Sequence, residues 1–294
     1  MRSNFAILRQ KMIAYSELTR LNRPIGILLL LWPTYWALWI AGVGMPALSV
    51  LIIFTLGVIV MRSAGCVIND YADRRIDGHV ARTRNRPIVR GAVSPKEALA
   101  VFAALLLLAL VLVLQLNQLT IALSLVAVVL AVTYPLGKRW HQLPQLQLGL
   151  AFGWSIPMGF AAQTGAVPAI AWVLFAANVF WTIAYDTLYA MADRADDLKI
   201  GVKSTAILFG RFDLLMVSLL YAAALLCLGI LGWISHYPLG YYLVLALSAV
   251  LAAFIVRGAR TRTPSDCMQA FKRNNGFGAL IMLALIVAQA SNVI

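Results

Sequence analysis

The sequence predicts an all-α protein that crosses a membrane about nine times, and three observations carry that expectation. Of its 294 residues, 62% are hydrophobic and 12% charged, with a mean hydropathy of +0.85; a soluble domain is nearer half apolar and a quarter charged. The apolar residues gather into stretches of about 20, the length a helix needs to span the hydrocarbon core. The Lys and Arg residues fall in alternate connections between those stretches.

The chain opens on a mixed polar tail, residues 1–24, with no small-residue cleavage site after the first apolar run, so no removable signal is expected. Within it Phe5, Leu8, Met12 and Tyr15 recur at helical spacing among Arg9 and Lys11, the pattern of a helix lying in the membrane interface or packed on the bundle. Residues 25–294 are expected to form a single transmembrane domain. Its first four spans run from Ile25 to Val43, Ala47 to Ile68, Ala98 to Leu114 and Thr120 to Leu136. The next two run from Leu146 to Gln163 and Pro168 to Leu188, and the last three from Leu214 to Ile234, Leu239 to Val256 and Phe277 to Val293.

The connections after the odd-numbered spans are short and carry no Lys or Arg. The tail and the connections after the even-numbered spans hold 23 of the 24 basic residues. By the positive-inside rule that side is cytoplasmic, with the C-terminus emerging opposite. The formal charge of +13, which in a soluble protein would point to nucleic acid, is then a statement of orientation, and no nucleic-acid partner is expected. Cys66, Cys227 and Cys267 are far apart and odd in number, so they are expected to be packing residues. Trp32, Trp36 and Trp39 read as interface anchors or packing groups.

The function lies in the acids. There are eleven, and seven fall in two clusters: Asp70, Asp73 and Asp77 at the end of the second span, and Asp186, Asp193, Asp196 and Asp197 at the end of the sixth. At 100° per residue, Arg62, Cys66, Asn69, Asp73 and Asp77 fall within about 80° of one another on a continuous helix, and Asp186, Asp193 and Asp197 within about 40°. Arg62, Asn69 and Asp73 also share their spacing with Asp186, Asp193 and Asp197. Because the two spans are four apart, both clusters reach the same face, which suggests a parallel four-helix repeat plus a ninth helix. The central cavity would then open toward the cytoplasm. Coincidence of spacing is the alternative.

Carboxylates one turn apart repel, and a hard cation removes that repulsion. Mg²⁺ is held by one or two carboxylates together with substrate phosphates, so two facing acidic helix ends suit two Mg²⁺ bridging a diphosphate. The acids could instead pair with Arg74, Arg75 and Arg194 in a solvated loop. Lys138, Arg139, Lys199 and Lys203 ring the same face and could bind the diphosphate, or serve only to orient the chain. A secondary transporter would also place carboxylates in a bundle, but near the midplane.

These residues carry a resemblance. The segment from Asn69 to Asp77 is similar to the N-D-x-x-D-x-x-x-D motif of the UbiA superfamily of intramembrane aromatic prenyltransferases. The segment from Tyr185 to Asp197, with Lys203-Ser204-Thr205-Ala206 after it, resembles the 4-hydroxybenzoate branch of that superfamily, as do Leu21-Asn22-Arg23-Pro24 and Tyr134 to Arg139. The resemblance implies Mg²⁺-dependent transfer of a polyprenyl group, octaprenyl in the expected case, from its diphosphate to the ring carbon ortho to the hydroxyl of 4-hydroxybenzoate. That is a ubiquinone step in a bacterial inner membrane, with the C-terminus in the periplasm. A naphthoate, a haem or a chlorophyllide are the alternative acceptors.

The resemblance also implies that Asn69, Asp73, Asp77, Asp193 and Asp197 are the metal-binding and catalytic positions. Arg62, Asp186, Tyr189 and Arg23 are expected at the acceptor or beside the groups that hold it. For Arg62 two roles stand open, binding the acceptor carboxylate or orienting Asp186. Asp186 or Asp193 could serve as the base that takes the ring proton.

Overall fold

The described residues of the computed structural model are 2–75, 77–79 and 83–290, with side chains described outside 2–7, 79, 135–136 and 138–140. Among them the regular structure is entirely helical. The helices are α1 (Arg2–Leu18), α2 (Ile25–Ala41), α3 (Leu48–Asp73), α4 (Pro95–Val113), α5 (Gln118–Trp140), α6 (Pro144–Gly153), α7 (Ser155–Thr164), α8 (Ala169–Ile200), α9 (Thr205–Phe209), α10 (Asp213–Ile234), α11 (Leu239–Gly258) and α12 (Pro264–Ala290). A 3₁₀ turn, Asp77–His79, follows α3.

Five stretches are long and apolar enough to cross a membrane: α3, α4, α8, Thr205–Ile234 and α11. Shorter apolar helices cover Ile25–Ala41 and Gln118–Tyr134. Leu107, Leu125, Leu226 and Val250 turn outward, each more than 60% exposed, as lipid-facing side chains do. This is a multi-pass membrane protein.

Local chemistry sets several ends. Ser94 and Glu97 exchange side-chain and backbone hydrogen bonds at the start of α4, a reciprocal cap with Pro95 at the first helical position. Asn117 accepts the Thr120 N–H at the start of α5. α8 runs 32 residues and stops at Gly201, whose φ of +69° suits glycine.

The fifth expected span is not one helix but two, α6 and α7, meeting at Trp154. Pro157 has no N–H for the Gly153 carbonyl four residues back, and its ring crowds that carbonyl. The helix that covers the ninth expected span, α12, begins at Pro264 rather than Phe277. Its first turns carry Lys272, Arg273, Asn274 and Asn275, which hide it from a hydropathy reading. Asn274 is nonetheless fully buried; its Oδ1 accepts from Trp181 Nε1 at 2.8 Å and Tyr221 Oη at 2.6 Å. Val293 of that expected span lies outside the described residues.

The largest core cluster sits between α2, α8, α10, α11 and α12, with Trp181 stacked between Trp36 and Phe277 at ring separations of 5.2 and 5.6 Å. A smaller cluster seats α1: Ala14 and Leu18 pack with Val67, Ile88, Val93 and Ala98. Lys11 pairs with Glu97 at 2.8 Å, and Tyr15 donates to the same carboxylate. Leu8 and Met12 point outward, so α1 packs on the bundle by one face and leaves apolar groups on another. Phe5 falls outside the described side chains. Cys66, Cys227 and Cys267 are free thiols.

Candidate active site

A cavity of about 1330 Å³ lies among α2 to α8, with the start of α12 also on its wall. α3 lines it from Ile53 to Asp70, about 25 Å at 1.5 Å per residue. Leu110, Val113, Leu116, Leu125 and Val128 supply an apolar wall from α4, α5 and the segment between them. The ends of α3 and α8 supply the polar wall, with Asn69 and Asp70 from one and Asp186, Tyr189, Asp193 and Asp197 from the other.

The second cluster lies as its spacing predicts. α8 is unbroken through Ile200, so Asp186, Asp193 and Asp197 share one helical face, and all three line the cavity.

The first cluster departs from the expected continuous stripe. α3 stops at Asp73, and Asp77 comes from the 3₁₀ turn. The Arg74 guanidinium lies 4.2 Å from the Tyr71 ring centroid and donates to the Tyr71 carbonyl at 2.6 Å. That carbonyl would accept the N–H of residue 75 were the helix to continue. Asp73 and Asp77 are both buried, and neither is on the cavity lining.

Asp70 and Asp77 pair with arginines other than Arg74 and Arg75. Arg20 Nη2 reaches both Asp70 oxygens, at 2.8 and 2.9 Å. Arg86 Nη1 lies 3.0 Å from Asp70 and 2.6 Å from Asp77. Burial pushes the Asp77 carboxyl above the usual carboxylate range, an effect that Arg86 partly offsets. Arg194 turns to the fully buried Asp213 at 2.5 Å, where Arg262 joins it at 2.9 Å.

Arg62 lies on the cavity wall with its guanidinium carbon 5.6 Å from the Phe152 ring centroid. Its buried Nε has no hydrogen-bond partner. Gly26 leaves room for it: a Cβ there would stand 2.7 Å from Nε and Nη2, and the guanidinium would have to shift. Arg23, Tyr189 and Lys203 also line the cavity. Lys199 does not; it pairs with Asp196 at 3.0 Å, with its side chain 73% exposed. Lys138 and Arg139 lie on the last turn of α5, but their side chains fall outside the described residues. The pattern of the chain missed Arg20, Arg86 and Lys272 on the wall, because nothing local distinguishes them from other cytoplasmic cations.

Among the described residues no three His, Cys, Asp or Glu side chains gather tightly enough to hold a metal unaided. The donors on the polar wall are instead hard oxygens from two helices facing one cavity, which fits Mg²⁺, a cation that keeps waters and takes substrate phosphates as ligands.

A wall of aspartates and basic side chains facing an apolar wall between membrane helices defines a membrane-embedded enzyme for substrates with a charged head and a long apolar tail. Residues 30–281 match the UbiA prenyltransferase family model, and the chain belongs to that family. The 4-hydroxybenzoate octaprenyltransferase of Alkalilimnicola ehrlichii is 55% identical over 95% of this chain and 96% of its own length. That of Aeromonas hydrophila is 53% identical over 95% and 97%. Among solved structures, the apo form of a UbiA homolog from Aeropyrum pernix K1 superposes with a TM-score of 0.78 at 27% identity, covering 88% of this chain and 97% of that one. An Archaeoglobus fulgidus homolog bound to GPP and Mg²⁺ shares the fold at TM-score 0.72 and 19% identity, over 96% of this chain and all of that one.

Proposed function

We propose that this protein is a 4-hydroxybenzoate polyprenyltransferase. It moves a polyprenyl group, octaprenyl by likeness to its relatives, from the diphosphate to the ring carbon ortho to the hydroxyl, and releases diphosphate toward ubiquinone synthesis. The carrying observation is the coincidence of more than half identity to named octaprenyltransferases along nearly the whole chain with a cavity lined by aspartates and basic side chains where α3 and α8 end and by apolar side chains from α4 and α5.

Asn69, Asp73 and Asp77 on one side and Asp193 and Asp197 on the other would hold two Mg²⁺. What the metal supplies when bound is neutralisation of the diphosphate as it leaves. Lys203, Lys138 and Arg139 would bind the phosphate oxygens, with Lys199 joining once released from Asp196, and Arg23 would stand at the acceptor or beside the groups that hold it. The residues of α4 and α5 hold the tail and exclude water while allylic cation character develops at the first prenyl carbon. The phenol ring attacks that carbon, the carbon–oxygen bond to diphosphate breaks, and Asp186 or Asp193 takes the ring proton. Arg62, with a free Nε beside Tyr189, is placed to bind the acceptor carboxylate.

The chain would form one transmembrane domain over residues 25–294, in nine crossings of a bacterial inner membrane. The interfacial tail, residues 1–24, and the cavity mouth face the cytoplasm, and the C-terminus the periplasm. The test uses membranes containing the protein, octaprenyl diphosphate, 4-hydroxybenzoate and Mg²⁺. Prenylated acid that disappears with EDTA is the expected result; product formed equally without divalent metal would defeat the mechanism.

A further inference from the structure

α3 ends at Asp73, so something other than helix geometry must hold Asp77 beside the acids of α3. Asp70, Asp73 and Asp77 are each 5% exposed or less, and like charges so enclosed drive one another apart. A single nitrogen, Arg86 Nη1, bridges Asp70 Oδ1 and Asp77 Oδ2. Asp70 is braced from its other side by Arg20. The Asp77 backbone is held too, since Thr83 Oγ1 donates to its carbonyl at 2.8 Å. Arg86 in turn donates its N–H to the Thr83 carbonyl at 2.9 Å and accepts from Arg90 at 3.0 Å, and Pro87 follows it. The arginine therefore stands on a fixed turn, and its side chain is 13% exposed.

We propose that Arg86 is a positioning residue for the metal site: by tying Asp77 to Asp70 it sets where the third acid of the first cluster stands once the helix has stopped. Asp70 is then the anchor of this device rather than a metal ligand. This rests on the metal site proposed above.

Mn²⁺ binding to the detergent-solubilised full-length protein, read by EPR with geranyl diphosphate present, tests it. Arg86→Gln should weaken Mn²⁺ binding by about tenfold or more, as loss of a group that orients a ligand does. Asp70→Asn should do comparable damage, and the double variant should lose no more than the worse single, because both act through one contact. Arg86→Lys guards against misfolding: it keeps the charge, but one ammonium on a flexible stem holds two carboxylates poorly, so binding should stay well below wild type. Unchanged binding in Arg86→Gln or Arg86→Lys would overturn the proposal. So would tighter binding, which would make Arg86 a competitor of the metal, or losses that multiply in the double variant. Asp193→Asn serves as the control: if it binds Mn²⁺ like wild type, the metal site itself is misplaced.

Discussion

The ends of α3 and α8 carry acids at the same four-residue spacing, yet they present them differently. α8 continues to Ile200 and carries Asp193 and Asp197 on one helical face that lines the cavity. α3 stops at Asp73, and Asp77 is returned to its place by Arg86, while Arg20 reaches Asp70 from 50 residues away. The second end has a buried aspartate of its own between two arginines, Asp213 with Arg194 and Arg262. That clamp ties the helix end to α10 and to the connection before α12. Equal spacing in a sequence thus permits equal function without equal structure; a helix and a turn can both bring a carboxylate to one point.

If the two ends work as halves of one site, Asp73→Asn and Asp193→Asn should each reduce prenyl transfer by about 100-fold or more. A loss confined to one of them would break the symmetry of role. The Asp213 clamp distinguishes bracing from chemistry. Asp213→Asn should lower stability by about 2 kcal/mol, below the usual cost of breaking a buried pair because Arg194 and Arg262 can turn to water. Thermal unfolding in detergent measures this, and the Mg²⁺ dependence of the folded fraction should stay as in wild type. Between the two ends stands Arg62: Arg62→Met should raise KM for the aromatic acid by about tenfold, with KM for the diphosphate unmoved. A shift in Mg²⁺ dependence alone would assign it to Asp186 instead. Smallest of all, Lys199→Ala should change kcat/KM by less than about twofold, as expected of an exposed pair.

Much of this was legible along the chain because it depends on neighbours. The hydropathy of α3, α4, α8 and α11 marks them as spans, and the stripe of Asp186, Asp193 and Asp197 follows from helical period. The break at Trp154 was within reach through Pro157, which a count of apolar residues passes over. The early start of α12 was not, because Asn274 reads as polar until Trp181 and Tyr221 are found around it.

The sequence by itself determined the solvent, the helical class, the two acidic ends and the family, since composition, period and motif are properties of residues close together. Only the tertiary structure decided which arginine meets which aspartate, that α3 yields to a turn before Asp77, and that Gly26 leaves room for the Arg62 guanidinium. The ion pairs and the Gly26–Arg62 approach join residues far apart in the chain. A surplus of cations on one face leaves many pairings open, and the packing of the helices selects among them.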